Sequence, residues 1–249
     1  DIMASAFKVM DMCAGSTATL EIEYFQEVGT GLGPTLEFYT LLGHSLQERK
    51  LKLWRDDGDV PSAQNDMDTD GAVASKQGKG APEAEMVRAN CGLFPRPLAT
   101  KASRRERALK HFRLLGSSVG KALQDGRLMD MHLSPAFWDL ALARATDGAR
   151  AADVRVSDVD PALAATLAKL GAYVDEYDAL QSQGRHSEAT ALAVDGATID
   201  DLCIEWAVPG YRDAELGGGV AQGTGVGPAE LRSYLVAVKD ATVGAGVGA

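Results

Sequence analysis

The sequence lacks clustered cysteines, a surplus of positive charge and any apolar run long enough to cross a membrane. Its three cysteines, Cys13, Cys91 and Cys203, are widely spaced, which argues against a disulfide framework and against a CxxC metal site. The four histidines share no ligand spacing, so the sequence predicts neither a metal nor another cofactor. This cysteine usage indicates a reducing compartment, and we expect a cytoplasmic or nuclear protein.

Positive charge is scarce, with 25 Lys and Arg residues against 35 Asp and Glu residues in 249. The net charge of −10 argues against a general nucleic-acid surface, because phosphate binding relies on clustered Lys and Arg. The one basic cluster, residues 101–107 with Lys110 and Arg113, falls on a predicted helix and is interpreted as a solvated face. The remaining composition, 45% hydrophobic and 24% charged, is typical of one large or two small globular domains.

Large apolar residues are scarce in residues 55–90, where Asp, Gly, Ala, Ser, Pro and Gln dominate. Such a segment has little to bury, so the sequence predicts a disordered acidic insertion. Residues 241–249 are mostly Gly, Ala and Val, and we expect a frayed end. Because the chain starts at Asp1 without a methionine or a leader, we also expect a fragment of a longer protein.

Residues 20–54 combine three local patterns. Leu20, Ile22 and Tyr24 alternate with glutamates, which predicts a half-buried strand. Alternating glycines then predict a sharp turn, and Pro34 suits the first turn of a helix whose apolar stripe continues to Leu53. The glycines invite a nucleotide-loop interpretation. Their GxGxG spacing differs from GxGxxG, so a turn between strand and helix is favoured.

Further helices are predicted where caps, prolines and a helical period agree. They cover residues 1–12, residues 103–124 and segments that begin near 134, 160 and 228. The second of these is expected to turn five apolar residues inward: Leu109, Phe112, Leu115, Val119 and Leu123. Its GSSVGKA sequence lacks the spacing and the Ser or Thr of a phosphate loop, so helix is favoured there. The non-helical predictions are an extended segment at 92–97, a loop or short hairpin at 175–199 and a strand at 202–208.

Four blocks of the sequence, in this order, resemble the N-terminal lobe (N-lobe) of HECT-type E3 ubiquitin ligases. The blocks are LEIEYFQEVGTGLGPTLEFYTLLGHSLQ, GLFPRP, FRLLGSSVGKALQDGRLMDMHLSPAFW and IDDLCIEWAVPGY. The resemblance covers about residues 1–243 and points to a branch of the family that plants and animals share. It implies an α+β, mainly helical fold with a large helical subdomain, a small E2-binding subdomain and no C-terminal lobe (C-lobe).

On this resemblance, the large subdomain comprises residues 1–54 and 91–150, interrupted by the insertion at 55–90. The small subdomain comprises residues 151–227, and residues 228–249 form a returning helix and the tail.

The family's chemistry moves ubiquitin from the cysteine of a ubiquitin-conjugating enzyme (E2) to a ligase cysteine, and then to a substrate lysine. The resemblance places the ligase cysteine in the C-lobe, within a Thr-Cys pair that this sequence does not contain. It therefore implies the docking part of a ubiquitin-protein transferase, which alone forms no ubiquitin thioester. The expected partners are an E2, ubiquitin and substrates bound through other regions, with no nucleic acid and no membrane. The alternative is a truncated, non-catalytic interaction module.

The resemblance also implies a groove for the E2, formed by one helix face, the predicted strand and the last helix. Its residues are Leu163, Thr166, Leu167, Leu170, Tyr173, Leu202, Ile204 and Tyr234. The apolar periodicity puts most of them on one helical face and one strand face. Packing of an ordinary core gives the same pattern, so the sequence leaves both interpretations open.

Overall fold

The computed structural model describes residues 1–25, 31–58, 86–145, 154–214 and 216–243. Most of the secondary structure in these residues is helical. The helices are α1 (Ile2–Cys13), α2 (Leu32–Leu46), a short 3-10 helix (Arg49–Leu51), α3 (Ala102–Gln124), α4 (Pro135–Ala145), α5 (Val156–Val159), α6 (Pro161–Ser182), α7 (His186–Thr190) and α8 (Leu231–Val243). Strand pairing in the described residues is limited to isolated bridges, for example between Trp54 and Pro95. The mainly helical prediction is confirmed, whereas neither strand forms in the described residues.

The chain divides into two compact units. The first consists of Asp1–Arg96 and Ser103–Leu133, and the second of Pro97–Ala102 and Ser134–Ala249. The second unit thus includes α4, which the sequence assigned to the large subdomain. Most of the predicted insertion, residues 59–85, lies outside the described residues, as do residues 26–30 of the glycine turn and residues 244–249 of the tail.

The first unit places α1 and α2 in contact and buries aromatic and aliphatic side chains around α2. Trp54 is buried, donates its indole N–H to the Leu46 carbonyl at 2.7 Å and packs edge-on against Phe112, with 5.3 Å between the ring centroids. The Arg55 and Arg96 amides bond to Phe94 and Leu53 carbonyls, so the predicted extended segment at 92–97 pairs with residues 53–55. The α2 helix itself ends at Leu46, before Leu53, where the predicted apolar stripe ends.

The predicted strand at Leu20 to Tyr24 is wrong, because side chains take the place of a neighbouring strand. The Leu20 amide donates to an Asp125 carboxylate oxygen at 2.9 Å, and the Ile22 amide donates to the Thr35 hydroxyl at 2.9 Å. Both amides are therefore satisfied without a ladder. Alternation in sequence records which side chains face inward here, and it does not require a sheet.

The face of α3 that enters the first unit differs from the predicted one. The buried residues are Leu114, Leu115, Ser118, Lys121 and Ala122. The Lys121 ammonium donates to the carbonyls of Ser16 and Ala18 and lies 3.2 Å from the Asp125 carboxylate, so a buried cation is fully paired. Of the five apolar residues expected inside, only Leu115 is buried, and Leu109 and Leu123 are 51% and 73% exposed.

Candidate functional site

The second unit is organised by α6, which begins as the sequence predicts. The Asp160 carboxylate accepts a hydrogen bond from the Leu163 amide at 2.8 Å, and Pro161 occupies the first turn. The helix then continues to Ser182, so the loop predicted from residue 175 is wrong at its start. Its buried face joins α8 and the segments between them in one core cluster. The buried members are Leu167, Leu170, Tyr173, Val174, Ile199, Trp206, Val208, Ala214, Leu216, Val226, Leu231, Tyr234, Leu235 and Val238.

The eight residues predicted to bind an E2 fall into three groups by exposure. Four of them are buried in the core cluster: Leu167, Leu170, Tyr173 and Tyr234. Leu163 and Ile204 are half-buried against the same cluster, whereas Thr166 and Leu202 are exposed. The structure therefore brings six of the eight to the core cluster, and it leaves Leu202 exposed and Thr166 on α6 with its hydroxyl donating to the Ala162 carbonyl.

Aromatic contacts fix the centre of the cluster. Tyr173 and Tyr177 stack with ring centroids 6.0 Å apart, and Trp206 meets Tyr234 edge-on at 5.9 Å. The Tyr234 hydroxyl donates to the Ala207 carbonyl at 3.3 Å. Burial raises the pKa of Tyr234, and burial, with smaller contributions from Tyr177 and Asp200, raises the pKa of Tyr173. Both phenols are therefore neutral packing groups at physiological pH.

A turn at residues 198–203, hereafter the 198–203 turn, replaces the first two residues of the predicted strand, Leu202 and Cys203. The Leu202 amide bonds to the Ile199 carbonyl and the Cys203 amide to the Asp200 carbonyl, which curls the chain before it can extend. Cys203 adopts a left-handed conformation with φ of 47° and is exposed. The prediction that Cys203 alternates in a strand is therefore wrong.

The 198–203 turn is held in place from both sides. The Thr198 hydroxyl donates to the Asp201 carboxylate at 2.7 Å, and the Thr198 amide donates to the same carboxylate at 3.3 Å. These two hydrogen bonds lower the pKa of Asp201. Ile199 is 2% exposed and anchors the turn in the core cluster, whereas Leu202 is 39% exposed. The turn therefore presents an apolar side chain from a fixed backbone.

Trp206 is the largest part of the site that sequence reasoning missed. The Trp206 amide donates to the Thr224 carbonyl and the Val226 amide donates to the Ile204 carbonyl, so residues 204–206 run beside residues 224–226. The Trp206 indole N–H donates to the Gly217 carbonyl at 3.2 Å, and a Cβ on Gly218 would lie 2.6 Å from the Trp206 ring. The glycine-rich composition of residues 217–227 is the signal in the sequence that indicates this packing, since the Trp206 ring lies so close to the backbone that only glycine fits.

Charged residues surround the apolar centre. Arg232 of α8 pairs with Asp175 and Asp178 of α6, both at 2.8 Å, which ties the two helices together at the surface. Asp200, Asp201 and Glu205 are exposed around Leu202, and Glu205 lies 3.3 Å from Arg212. This arrangement suits recognition of a protein surface that carries an apolar side chain beside cations.

The described residues contain no group of three or more His, Cys, Asp or Glu side chains that could hold a metal ion. None of the helices in this part of the chain is long and apolar enough to span a bilayer.

Comparison with known proteins places the chain in a family. The model described as HECT-domain (ubiquitin-transferase) matches residues 40–247. E3 ubiquitin-protein ligase UPL3 of Arabidopsis thaliana is 41% identical over 255 residues, which cover 99% of this chain and 13% of that protein. E3 ubiquitin-protein ligase UPL4 of the same plant is 36% identical, with 99% of this chain and 15% of that protein covered. E3 ubiquitin-protein ligase TRIP12 of Danio rerio is 30% identical, with 87% and 10% covered.

These matches confirm the family resemblance read from the sequence, and the plant and animal relatives agree with the expected branch. The chain spans less than a sixth of the length of each of these relatives. The matched region includes the C-terminal part of α2 and all of the core cluster. This chain belongs to the HECT-domain family of ubiquitin transferases.

Proposed function

We propose that the second unit docks a ubiquitin-charged E2, so that ubiquitin passes to a cysteine elsewhere in a longer HECT ligase and then to a substrate. The family match over residues 40–247 is the observation that carries this proposal. Ubiquitin transferases need a surface for the donor enzyme, and the core cluster supports a fixed apolar edge that could serve as one. The chain itself acts in binding, and the cysteine that accepts ubiquitin lies outside it.

The docking surface in this proposal is narrower than the eight residues predicted from the sequence. Leu202 on the 198–203 turn, the half-buried Ile204 and Leu163, and the exposed Thr166 are the residues that a partner can reach. The other four residues support this surface indirectly, because their burial in the core cluster holds α6, the turn and α8 in one arrangement. They are Leu167, Leu170, Tyr173 and Tyr234. Substituting the buried residues would test folding more than docking.

The acidic side chains around Leu202 select the partner's charge. Asp200, Asp201 and Glu205 carry negative charge close to an apolar anchor, within a chain whose net charge is −10. An E2 face with an apolar side chain flanked by Lys or Arg complements this surface. Its association rate should fall as salt rises, because charges at the rim are screened.

The experiment measures E2 binding by the 249-residue chain and two variants. Leu202→Asp should weaken binding at least about fivefold, since loss of an apolar anchor at an interface costs more than about 1 kcal/mol. Val236→Asp is the matched control, because Val236 is 55% exposed on α8, two residues from the buried Tyr234 and so on the opposite side of the helix. Equal affinity of both variants and the parent chain would overturn the assignment of the docking surface.

A further inference from the structure

The chain leaves the first unit before residues 59–85 and re-enters it at the same place. The Asp57 amide donates to the Arg88 carbonyl at 2.7 Å, so the backbone on one side of the segment is bonded to the backbone on the other. The Val87 amide donates to the Gln47 carbonyl at 3.0 Å, which fixes the returning chain against the end of α2. Both ends of the segment are therefore held by described residues.

The Asp56 carboxylate lies at the centre of these contacts. Its Oδ1 atom accepts hydrogen bonds from the Gly58 amide at 2.9 Å, the Arg88 amide at 3.2 Å and an Arg49 guanidinium nitrogen at 3.0 Å. The same guanidinium pairs with Oδ2, and the Asp56 side chain is only 6% exposed. Hydrogen bonds to an ionised, largely buried carboxylate are the stronger kind. One carboxylate thus joins the 3-10 helix to both ends of the segment. These contacts, hereafter the insertion clasp, involve residues 47, 49, 56–58 and 87–88.

The two stretches of chain that flank the segment also share the core of the first unit. Trp54, which precedes the segment, packs edge-on against Phe112, which follows it. The Leu20 amide donates to the Asp125 carboxylate at 2.9 Å, which joins the same two stretches at a second place. Each stretch supplies partners that the other needs, and none of these contacts involves residues 59–85.

We propose that the insertion clasp makes the first unit independent of residues 59–85, so that its two halves stay assembled whether that segment is present, replaced or cut. The clasp fixes both ends of the segment with hydrogen bonds that the segment itself does not supply. Large apolar residues are scarce between the ends, so the segment has little to add to the core. The fold thereby gains one place where the length of the chain can change. This property is separate from E2 docking and does not depend on it.

Replacement of residues 59–85 by the four residues Gly-Gly-Ser-Gly tests this independence. Joining the ends of a flexible loop costs entropy that grows with the 3/2 power of its length, and the native segment has 27 residues. The shorter loop should therefore raise the folding equilibrium constant of the first unit by about 15–20-fold. The indole N–H signal of Trp54 in nuclear magnetic resonance spectra follows unfolding of this unit in urea. A lower equilibrium constant than that of the parent chain would show that the segment packs on the unit, and would overturn the proposal.

A single substitution tests the clasp itself. Asp56→Asn keeps the size of the side chain but removes the charge that pairs with Arg49. Amide hydrogen exchange at Gly58 and Arg88 should become at least about tenfold faster, because both amides lose a bond to a charged acceptor. Asp11→Asn is the matched control, since Asp11 is exposed on α1 and its loss should leave both amides unchanged. Equal exchange rates in the two variants would contradict the role given to Asp56.

Cutting the folded chain in place tests the proposal most directly. The recognition sequence of a sequence-specific protease is inserted between Asp70 and Gly71 of the whole chain, and the purified protein is then cut. Hydrolysis of one peptide bond should give two bands under denaturing conditions. Under native conditions the two fragments should sediment together with the mass of the uncut chain and keep the Trp54 indole signal. Separation of the fragments, loss of that signal or resistance of the inserted sequence to the protease would overturn the proposal.

Discussion

Glycine substitutions in two helices of the first unit give a direct test of its packing. Gly43 lies inside α2, and a Cβ added there would be 2.9 Å from the Asp130 carbonyl oxygen and 3.4 Å from Met131 Cγ. Gly120 lies inside α3, where an added Cβ meets nothing within 4 Å. Both positions are helical, so Gly→Ala brings the same intrinsic gain of about 0.5–1 kcal/mol in each. The difference between the two variants therefore reports the close contact alone.

The contact at Gly43 is with backbone, which has little freedom to move. The Gln47 side-chain amide donates to the Asp130 carbonyl at 2.9 Å and to the Gly43 carbonyl at 3.0 Å, so the two segments are tied together. Forcing a methyl group into such a site costs about 1–3 kcal/mol. Gly43→Ala should thus be less stable than Gly120→Ala by about 1–3 kcal/mol, and Gly120→Ala should be more stable than the parent.

Urea unfolding followed by far-UV circular dichroism measures the difference. At a slope near 2 kcal/mol per molar urea, it corresponds to midpoints about 0.5–1.5 M apart. Equal midpoints for the two alanine variants would refute the close approach of α2 to residue 130.

Three further outcomes follow from the described contacts. Gly218→Ala should lower the melting temperature of the second unit and shift tryptophan fluorescence, because its Cβ would lie 2.6 Å from the Trp206 ring and its φ is 103°. A hydrogen bond from the Leu20 amide, supported by Lys121, lowers the pKa of Asp125. The stability that the Asp125 carboxylate contributes is therefore present above its unfolded pKa and lost as pH falls through its folded pKa. Asp125→Asn should flatten this acid dependence in urea titrations. Burial raises the pKa of Tyr39 to about 12, so stability is lost as pH rises from about 10 toward that value, and Tyr39→Phe should lose less over this range in alkaline unfolding.

Local signals in the sequence located the helices well. The Asp160 cap with Pro161, the Ser134 cap with Pro135 and the stop at Gly126 all depend on neighbouring residues, and all three are present in the structure. Capping interactions of this kind can be predicted from a sequence because the residues that interact are only a few positions apart. The last helix likewise turns Leu231, Tyr234, Leu235 and Val238 inward, as its period predicts.

Long-range partners explain what the sequence did not reveal in the first unit. Lys121 is buried because carbonyls more than 100 residues away accept its hydrogens, and no local pattern announces them. With Lys121 and Ser118 inside, the buried stripe of α3 shifts away from its most apolar residues. Leu20 shows the same dependence, since Asp125 supplies the acceptor that a strand would have supplied.

The candidate site was predicted in part. The helical period correctly grouped Leu167, Leu170 and Tyr173, but a period shows only that residues share a face and not whether that face is covered. The 198–203 turn was missed because Leu202, Ile204 and Trp206 alternate like a strand, while hydrogen bonds from Thr198 to Asp201 favour a turn. The proposed contact with a partner therefore moves from the buried face of α6 to the exposed Leu202 on the 198–203 turn.

The central claim, that the second unit docks an E2, is tested most directly by a nuclear magnetic resonance titration of the isotopically labelled chain with unlabelled E2. The account predicts that amide signals of the 198–203 turn and of Ile204 shift first, that those of Leu163 and Thr166 follow, and that Leu202→Asp removes the shifts. Transient interfaces are often small and weak, so the titration must extend to E2 concentrations well above about 1 μM. Absence of shifts at saturating E2, or shifts confined to α1, α2 and α3, would contradict the account.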